Sequence, residues 1–334
     1  MRFVMMGTGA IGGTLGGYLH LAGQEVCFIE KDRVHVETIN ERGLRLRAVD
    51  TTHQLKIPAV CRPEDMRFRQ DDVAFLCVKS YDTEEAAAQL RNTVSQELPI
   101  FCFQNSVHNE EIVAKYFSEV CGVMVLYSGT YVTPGIVIHT QLKKLAMGSY
   151  PSGVSDTVRA VAAAFEGTPF DVSLTESIME AKWTKLLMNL NNATYGLLGI
   201  SGQEGRNLAE VRQWMADVIE EGLKVVRAAG IEYAAVEGQP SPEELINRLR
   251  SPDFKAPAIP RDEDMLHRPS LWQDLYMMRG VAESPYFNGE IVKLGRQFGI
   301  PTPFNEMLLA KSTEIASAKA PPGQCTVEQL RSMV

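Results

Sequence analysis

No apolar stretch in this chain approaches the roughly 18 residues that a membrane-crossing helix needs. The start, "MRFVMMG", runs straight into an apolar strand without the basic segment and cleavage site of a secretory signal, so neither export nor insertion is expected. Cysteine is sparse: Cys27, Cys61, Cys77, Cys102, Cys121 and Cys325 form no C-x-x-C pair. That pattern excludes a disulfide framework and offers no metal site; it suits reduced thiols in a cytoplasmic protein. Positive charge is in deficit, with 33 Lys and Arg against 41 Asp and Glu and a net charge of −8, which argues against a partner that is a phosphate backbone. Internal repeats and low-complexity tracts are also lacking. What remains is ordinary for a folded chain, 45% hydrophobic and 22% charged. The expected partner is a small molecule, with no nucleic acid and no membrane, bound by a monomer or homodimer. At 334 residues one core is too few, so two domains and a cleft are expected.

Up to residue 173 short apolar runs alternate with helical periodicity. Strands are expected at 2–7, 25–30, 72–78, 99–104 and 122–128, and helices at 10–22, 33–42, 82–92, 108–117 and 153–166. Runs that are apolar throughout suit strands covered on both faces, and β-α alternation suits a parallel, doubly wound α/β sheet. "VTPGIVIHTQLKKLAMGSYP" (132–151) carries a Pro-Gly turn and reads as a hairpin at the sheet edge. From 174 to 334 the strand signals stop, and helices are expected at 176–195, 206–229, 241–250, 270–278, 282–298 and 303–317, with an irregular Pro-rich loop at 251–269. The expected plan is therefore a dinucleotide-binding domain at 1–173 and an all-helical substrate domain at 174–334.

Gly7, Gly9 and Gly12 form G-x-G-x-x-G directly after a strand and at the opening of a helix. In that setting the first glycine makes the turn, the second admits a pyrophosphate and the third lets helix and strand pack closely, while the helix start around Ala10 and Ile11 offers N–H groups to the phosphates. Glycines in a tight turn are the plainer reading, and the strand-helix context with the following β-α units outweighs it. An acid at the end of the second strand would hold the adenosine ribose hydroxyls, and a cation would pair with a 2′-phosphate. Glu30 favours NAD; Lys31 and Arg33 favour NADP.

"EAKWTKLLMNLNNATYG" (180–196) places Trp183, Leu186, Leu187 and Leu190 on one helical face and Lys182, Lys185, Asn189 and Asn192 on the other. A solvated face is the bland explanation, but asparagines are poor helix formers, and a cluster of them suits a ligand better than water. Lys185 and Asn189, at i and i+4, project side by side. An ammonium beside an amide suits a carbonyl substrate, with the lysine polarising C=O and donating a proton.

On these residues the chain resembles the ketopantoate reductase (2-dehydropantoate 2-reductase) family over essentially its full length. The family pattern W-x-K-x-x-x-N stands as Trp183, Lys185 and Asn189. "VKS" carries Lys79 after the third strand, "FQNS" Asn105 after the next, and "PGIVIH" ends at His139. "PSLWQD" carries Ser270 and Asp274, and "ESPYFNG" carries Glu283, Asn288 and Gly289. The resemblance implies a Rossmann-type sheet followed by an all-helical C-terminal domain similar to that of 6-phosphogluconate dehydrogenase. It implies NADPH-dependent reduction of 2-dehydropantoate to (R)-pantoate, a step of pantothenate and coenzyme A biosynthesis. It further implies Lys185 as the general acid, Glu283 as the second catalytic residue, and Ser270 on the substrate carboxylate. Asn105 and Asn189 would line the substrate and nicotinamide pocket, and Gly7, Gly9, Ala10, Ile11, Gly12, Glu30, Lys31, Lys79 and Asn105 would bind NADP, with NAD as the alternative because of Glu30. A capping role for Ser270, a first-turn acid for Glu283 and a loop former for Asn105 are the competing readings.

The chain departs from the family pattern at Ala193 in place of a second asparagine, at Ser106 in place of a glycine, and at His267, a polar position just before the serine. These departures bear on substrate identity. The nearest rival is an NAD(P)-dependent reductase of another small 2-oxo acid. A non-catalytic nucleotide-binding module would have lost the lysine or the glutamate, and an S-adenosylmethionine methyltransferase has only the glycine turn in its favour.

Overall fold

A computed structural model describes residues 1–234 and 239–334, apart from the side chains at 141 and 142. The chain forms two compact units, Met1–Met179 and Glu180–Val334. In chain order the first contains β1 (Arg2–Met6), α1 (Gly12–Leu21), β2 (Glu25–Ile29), α2 (Arg33–Arg42), β3 (Leu44–Arg47), β4 (Thr52–Leu55), β5 (Ala59–Val60), β6 (Asp72–Leu76), α3 (Thr83–Thr93), β7 (Ile100–Cys102), α4 (Asn109–Val113), β8 (Val120–Thr133), β9 (Ile136–Ser149), α5 (Asp156–Ala163) and β10 (Asp171–Leu174).

Among the described residues these strands make one sheet in the order β4-β3-β9-β8-β7-β6-β1-β2-β5, with β10 also on β9. From β5 to β8 all neighbours are parallel. The uniformly apolar runs are explained by cover on both faces. Val4, Met6, Ala74 and Leu76 point into a cluster with Ala86 and Leu90 of α3 and Phe117. On the other face the Phe75 ring meets Phe3, Phe101, Phe103 and Phe165, with centroids 4.4 to 6.2 Å away. All six cysteines are free thiols, four of them buried.

The Pro-Gly hairpin forms as expected, β8 against β9, and Gly135 at φ +79° takes the position of a type II turn that requires the left-handed region. It is not at the sheet edge. One side of β9 carries β3 along Ile136–Ile138 and β10 along Lys144–Met147, and β4 closes that side. A strand of 14 residues is long enough for two short partners end to end. "LRLR" of β3 alternates buried Leu44 and Leu46 with arginines, a period of two that signals a half-buried strand.

The second unit is helical: α6 (Ile178–Asn189), α7 (Asn192–Leu198), α8 (Gly202–Asn207), α9 (Ala209–Ala228), α10 (Pro242–Arg250), α11 (Ser270–Tyr276), α12 (Asn288–Phe298), α13 (Pro303–Ser317) and α14 (Val327–Ser332). The Pro-rich stretch 251–269 holds only the short 3₁₀ turn Glu263–Met265. The helix expected over 176–195 breaks after Asn189, and long-range hydrogen bonds account for the break. Asn288 Nδ2 donates to Leu190 O (3.1 Å) and Asn191 Nδ2 to Met215 O (3.1 Å), while Thr194 Oγ1 accepts from Trp214 Nε1 (3.0 Å). Asn191 is thus a brace between helices and not a ligand amide. Behind it Asn288 also donates to Asn305 Oδ1 (2.9 Å), and the Glu221 carboxylate caps α13 by accepting from Phe304 N, Asn305 N and Asn305 Nδ2.

Ser106 stands at φ +83°, where the family pattern has glycine, and its buried hydroxyl finds no hydrogen-bond partner among the described residues. A non-glycine residue in that region costs about 1–2 kcal/mol, and the orphaned hydroxyl adds to it. Ser106→Gly is expected to stabilise the first unit by about 1 kcal/mol after the entropy gained by the unfolded chain is subtracted. Denaturant midpoints of the two proteins measure this; an unchanged or lowered midpoint contradicts it.

Candidate active site

The turn from β1 to α1 gives each fingerprint glycine a different task. Gly7 adopts φ +92° with Val78 N and Cys77 C within 3.0 Å of where a Cβ would stand. A Cβ on Gly12 would lie 2.0 Å from Gly7 O, so that position is closed by the protein itself. At Gly9 the nearest atom to a Cβ is Tyr131 Cδ1 at 3.5 Å, an ordinary contact. The fold therefore demands glycine at 7 and 12 and has no need of it at 9. An empty cradle over Gly9 fits a group that must approach the backbone, as a pyrophosphate does. Ala10 and Ile11 complete the turn before α1, with Ile11 O held by the Tyr127 hydroxyl at 2.7 Å.

Four sequence-predicted residues follow the carboxyl ends of adjacent parallel strands: Gly7 after β1, Glu30 after β2, Lys79 beyond β6 and Asn105 beyond β7. The strand order reverses between β1 and β6, the crevice where open α/β sheets bind ligands. Glu30 reaches into the glycine turn, its Oε2 accepting from Thr8 N (2.8 Å) and Thr8 Oγ1 (3.3 Å), its Oε1 from Asp32 N (3.1 Å). Lys31 is exposed and pairs with Asp82 Oδ2 at 2.7 Å; Arg33, at the start of α2, is exposed as well. Lys79 is half-buried at the head of a 3₁₀ turn, and half-buried Asn105 accepts through its carbonyl from Ser80 Oγ (3.1 Å) and Asn109 Nδ2 (2.6 Å).

His35 was not legible as a site residue. Fully buried, it accepts at Nδ1 from Gly135 N (2.7 Å), which leaves the proton on Nε2 to be donated to Thr8 O (3.0 Å). One neutral imidazole thus ties the glycine turn to the β8–β9 hairpin. Its ring lies 4.6 Å from that of Tyr131, whose hydroxyl donates to Asp32 Oδ2.

In the helical unit, α6 carries Lys185 half-buried and Asn189 buried on one side. The expected division of faces holds for Leu186, Leu187 and Leu190, but Lys182 is buried and Trp183 only half-buried, so the polar stripe is narrower than the sequence suggested. Lys185 Nζ has no hydrogen bond or ion pair among the described residues, and burial lowers its pKa to about 8. Ser270 opens α11 but caps nothing. Its hydroxyl donates to Glu283 Oε2 at 2.7 Å, and Glu283 is 5% exposed. Ser270 and Glu283 thus form a pair, whereas Asp274 is a buried partner of Arg279 (2.7 Å) with a structural role. His267 lies against Gly202 and is pushed down to about 3 by burial and by the charges of Arg206 and Lys185.

The family model described as ketopantoate reductase PanE/ApbA matches residues 3–152, and that of its C-terminal domain matches residues 177–316. The chain belongs to the ketopantoate reductase family. The 2-dehydropantoate 2-reductase of Pyrococcus abyssi is 27% identical over 96% of this chain and 100% of its own length, and that of Archaeoglobus fulgidus 29% identical over 92% and 95%. The crystal structure of a PanE/ApbA family ketopantoate reductase from Ralstonia eutropha JMP134 superimposes with a TM-score of 0.77 at 28% identity, covering 96% and 99% of the two chains. D-mandelate dehydrogenase in complex with NADH and anilino(oxo)acetate shares the fold at a TM-score of 0.77 and 22% identity, over 99% and 100%. As a ketopantoate reductase family member the protein is an oxidoreductase acting on a CH–OH group with a nicotinamide cofactor.

The glycine geometry makes a contrast that nucleotide titration and thermal unfolding can read together. Gly9→Ala is expected to fold with an unchanged melting temperature and to lose at least tenfold in nicotinamide nucleotide affinity. Gly12→Ala is expected to melt lower, because its methyl group meets backbone. Unimpaired nucleotide binding by Gly9→Ala would show that the cradle serves no phosphate.

Proposed function

We propose that the protein reduces 2-dehydropantoate to (R)-pantoate with NADPH, in the cytoplasm, as a step towards pantothenate and coenzyme A. The observation that carries this reading is Lys185: an ammonium lowered to about 8 and without a partner among the described residues, one helical turn from Asn189. When bound, a nicotinamide would supply the hydride for the ketone carbon. Lys185 polarises the ketone oxygen and delivers the proton that turns it into a hydroxyl, while Asn189 orients the substrate. Glu283, holding Ser270, fixes the far side of the substrate. Without neutralisation by a carboxylate, the ammonium keeps its full field for the oxygen on which negative charge develops.

Lys185→Ala is expected to lower turnover by at least about a hundredfold with nucleotide affinity unchanged. The pH dependence has a defined sign. Donation needs the ammonium, whose fraction falls as pH rises through about 8, so ketone reduction slows above that value and alcohol oxidation, which needs the free amine, gains. Steady-state rates with 2-dehydropantoate and NADPH test both; near-normal turnover of Lys185→Ala removes the lysine from this role.

For the cofactor, Glu30 already accepts from Thr8 and Asp32, which leaves its carboxylate committed to the turn, while Lys31 and Arg33 present cations beside it. This supports NADPH over NADH. Lys31→Ala is then expected to raise the KM for NADPH about tenfold and to leave that for NADH within about twofold, since a charge-assisted bond to phosphate contributes on the order of 1.5–3 kcal/mol. Equal changes for both nucleotides would favour NAD.

A second reading, reduction of another small 2-oxo acid, is favoured by the buried Ala193 at a position where the family pattern has an amide and by His267 before the serine. Rates across a panel of 2-oxo acids separate the two.

A further inference from the structure

We propose that Arg206, on α8 beside His267, receives the carboxylate of the 2-oxo acid and makes the enzyme selective for anionic substrates. This rests on the reading of the chain as a 2-oxo acid reductase. A carboxylate taken out of water needs charged or hydrogen-bonding donors. Ser270, the residue the resemblance assigns to this task, donates its hydroxyl hydrogen bond to Glu283 Oε2 at 2.7 Å, so that donor is already engaged. Lys185 is needed at the ketone oxygen.

Besides the indole N–H of Trp272 on α11, donors without an acceptor near His267 lie on α8. Arg206 is half-buried, and its guanidinium makes no hydrogen bond or ion pair among the described residues. Neighbouring arginines are engaged: Arg268 stacks on Trp272 with Glu204 at 3.9 Å, and Arg212 lies over Phe254 and donates to Arg206 O. Beside Arg206, Gln203 is fully buried, and its Nε2 likewise has no acceptor. Two hydrogen bonds of 2.9 Å hold α8 to the segment before Ser270, from Gly202 N to His267 O and from His267 N to Gln203 Oε1. The imidazole fits so closely on Gly202 that a Cβ there would stand 2.5 Å from Nδ1. Arg206 is four residues further on, hence on the same face of α8 as that ring. The charges of Arg206 and Lys185 both act on the His267 imidazole and lower its pKa. His267 stays neutral there, so the positive charge facing a substrate is that of Lys185 and Arg206. A planar guanidinium matches a carboxylate through two parallel bonds, which an ammonium cannot reproduce.

The test compares wild type, Arg206→Lys and Arg206→Leu in reducing 2-dehydropantoate and its uncharged methyl ester, with nucleotide affinity and melting temperature measured alongside. For the acid, Arg206→Leu is expected to raise KM roughly 10- to 100-fold with kcat nearly retained, and Arg206→Lys to fall between. For the ester the loss is much smaller, so the preference for acid over ester collapses. An unchanged KM for the acid, or equal losses for acid and ester, overturns the assignment of Arg206 alone. Failure of the wild type to reduce any 2-oxo acid overturns the functional reading, and this inference with it.

Discussion

The closeness of α1 to the end of β1 governs what the first unit can do. With no side chain at Gly12, the helix comes down on the Gly7 carbonyl, which a Cβ would approach to 2.0 Å, and the first turn of α1 is thereby brought to the edge of the parallel sheet. Every other feature of that edge adapts to this contact. Glu30 holds Thr8 from the side of β2, and His35 donates to the Thr8 carbonyl while its Nδ1 accepts a hydrogen bond from Gly135 N of the hairpin turn. Backbone polar groups that would otherwise be orphaned in a buried turn are thus satisfied by side chains from α2 and the β2 end. Those bonds hold the turn in place, the kind of preorganisation that a phosphate site needs if it is to spend little binding energy on ordering itself.

The helical unit solves a related problem with amides. A long amphipathic helix through α6 and α7 would bury its polar stripe or lose it to water. Instead the helix is interrupted, and the carbonyl freed at Leu190 is taken by Asn288, which is oriented by Asn305 and, through it, by the buried Glu221. Burial raises the Glu221 pKa, yet three hydrogen bonds donated by Phe304 and Asn305 at the start of α13 favour the charged carboxylate that caps the helix. This chain of bonds fixes the end of α6, and with it the direction in which Lys185 and Asn189 leave the helix.

Local signals were legible and distant ones were not. The fingerprint, the parallel strands and the helical character of the second unit announce themselves through patterns within about 20 residues, although the helices expected over 176–195 and 206–229 are each broken in two. β3, β4, β5 and β10 are two to four residues long and form by pairing with distant strands, β3 and β10 on β9, β4 on β3 and β5 on β2. The asparagine cluster read as a ligand face, and one of its members, Asn191, is instead spent on Met215 O. His35 lies 100 residues from the Gly135 N–H that defines its tautomer, so nothing around "RVHVE" could have marked it. Ser270 and Glu283 were visible only as separate motif residues, and their pairing across 13 positions came with the fold.

Several cations of the helical unit are neutralised within it. Arg250 is neutralised by Asp217 and Glu220, Arg279 by Asp274, and Arg227 by Glu243, as expected where a cation serves stability. Lys185 and Arg206 are half-buried, yet neither has a carboxylate partner among the described residues, and the unpaired Nε2 of Gln203 lies on the same helix as Arg206. Desolvating a cation without compensation costs free energy, and the depressed Lys185 pKa is the direct sign of that cost. A carboxylate placed nearby would relieve it and stabilise the fold, but it would also raise the lysine above the range where it exchanges protons and fill the position a substrate anion must take. On the reading proposed above, that local destabilisation is what would leave these groups available to an anionic, carbonyl-bearing ligand.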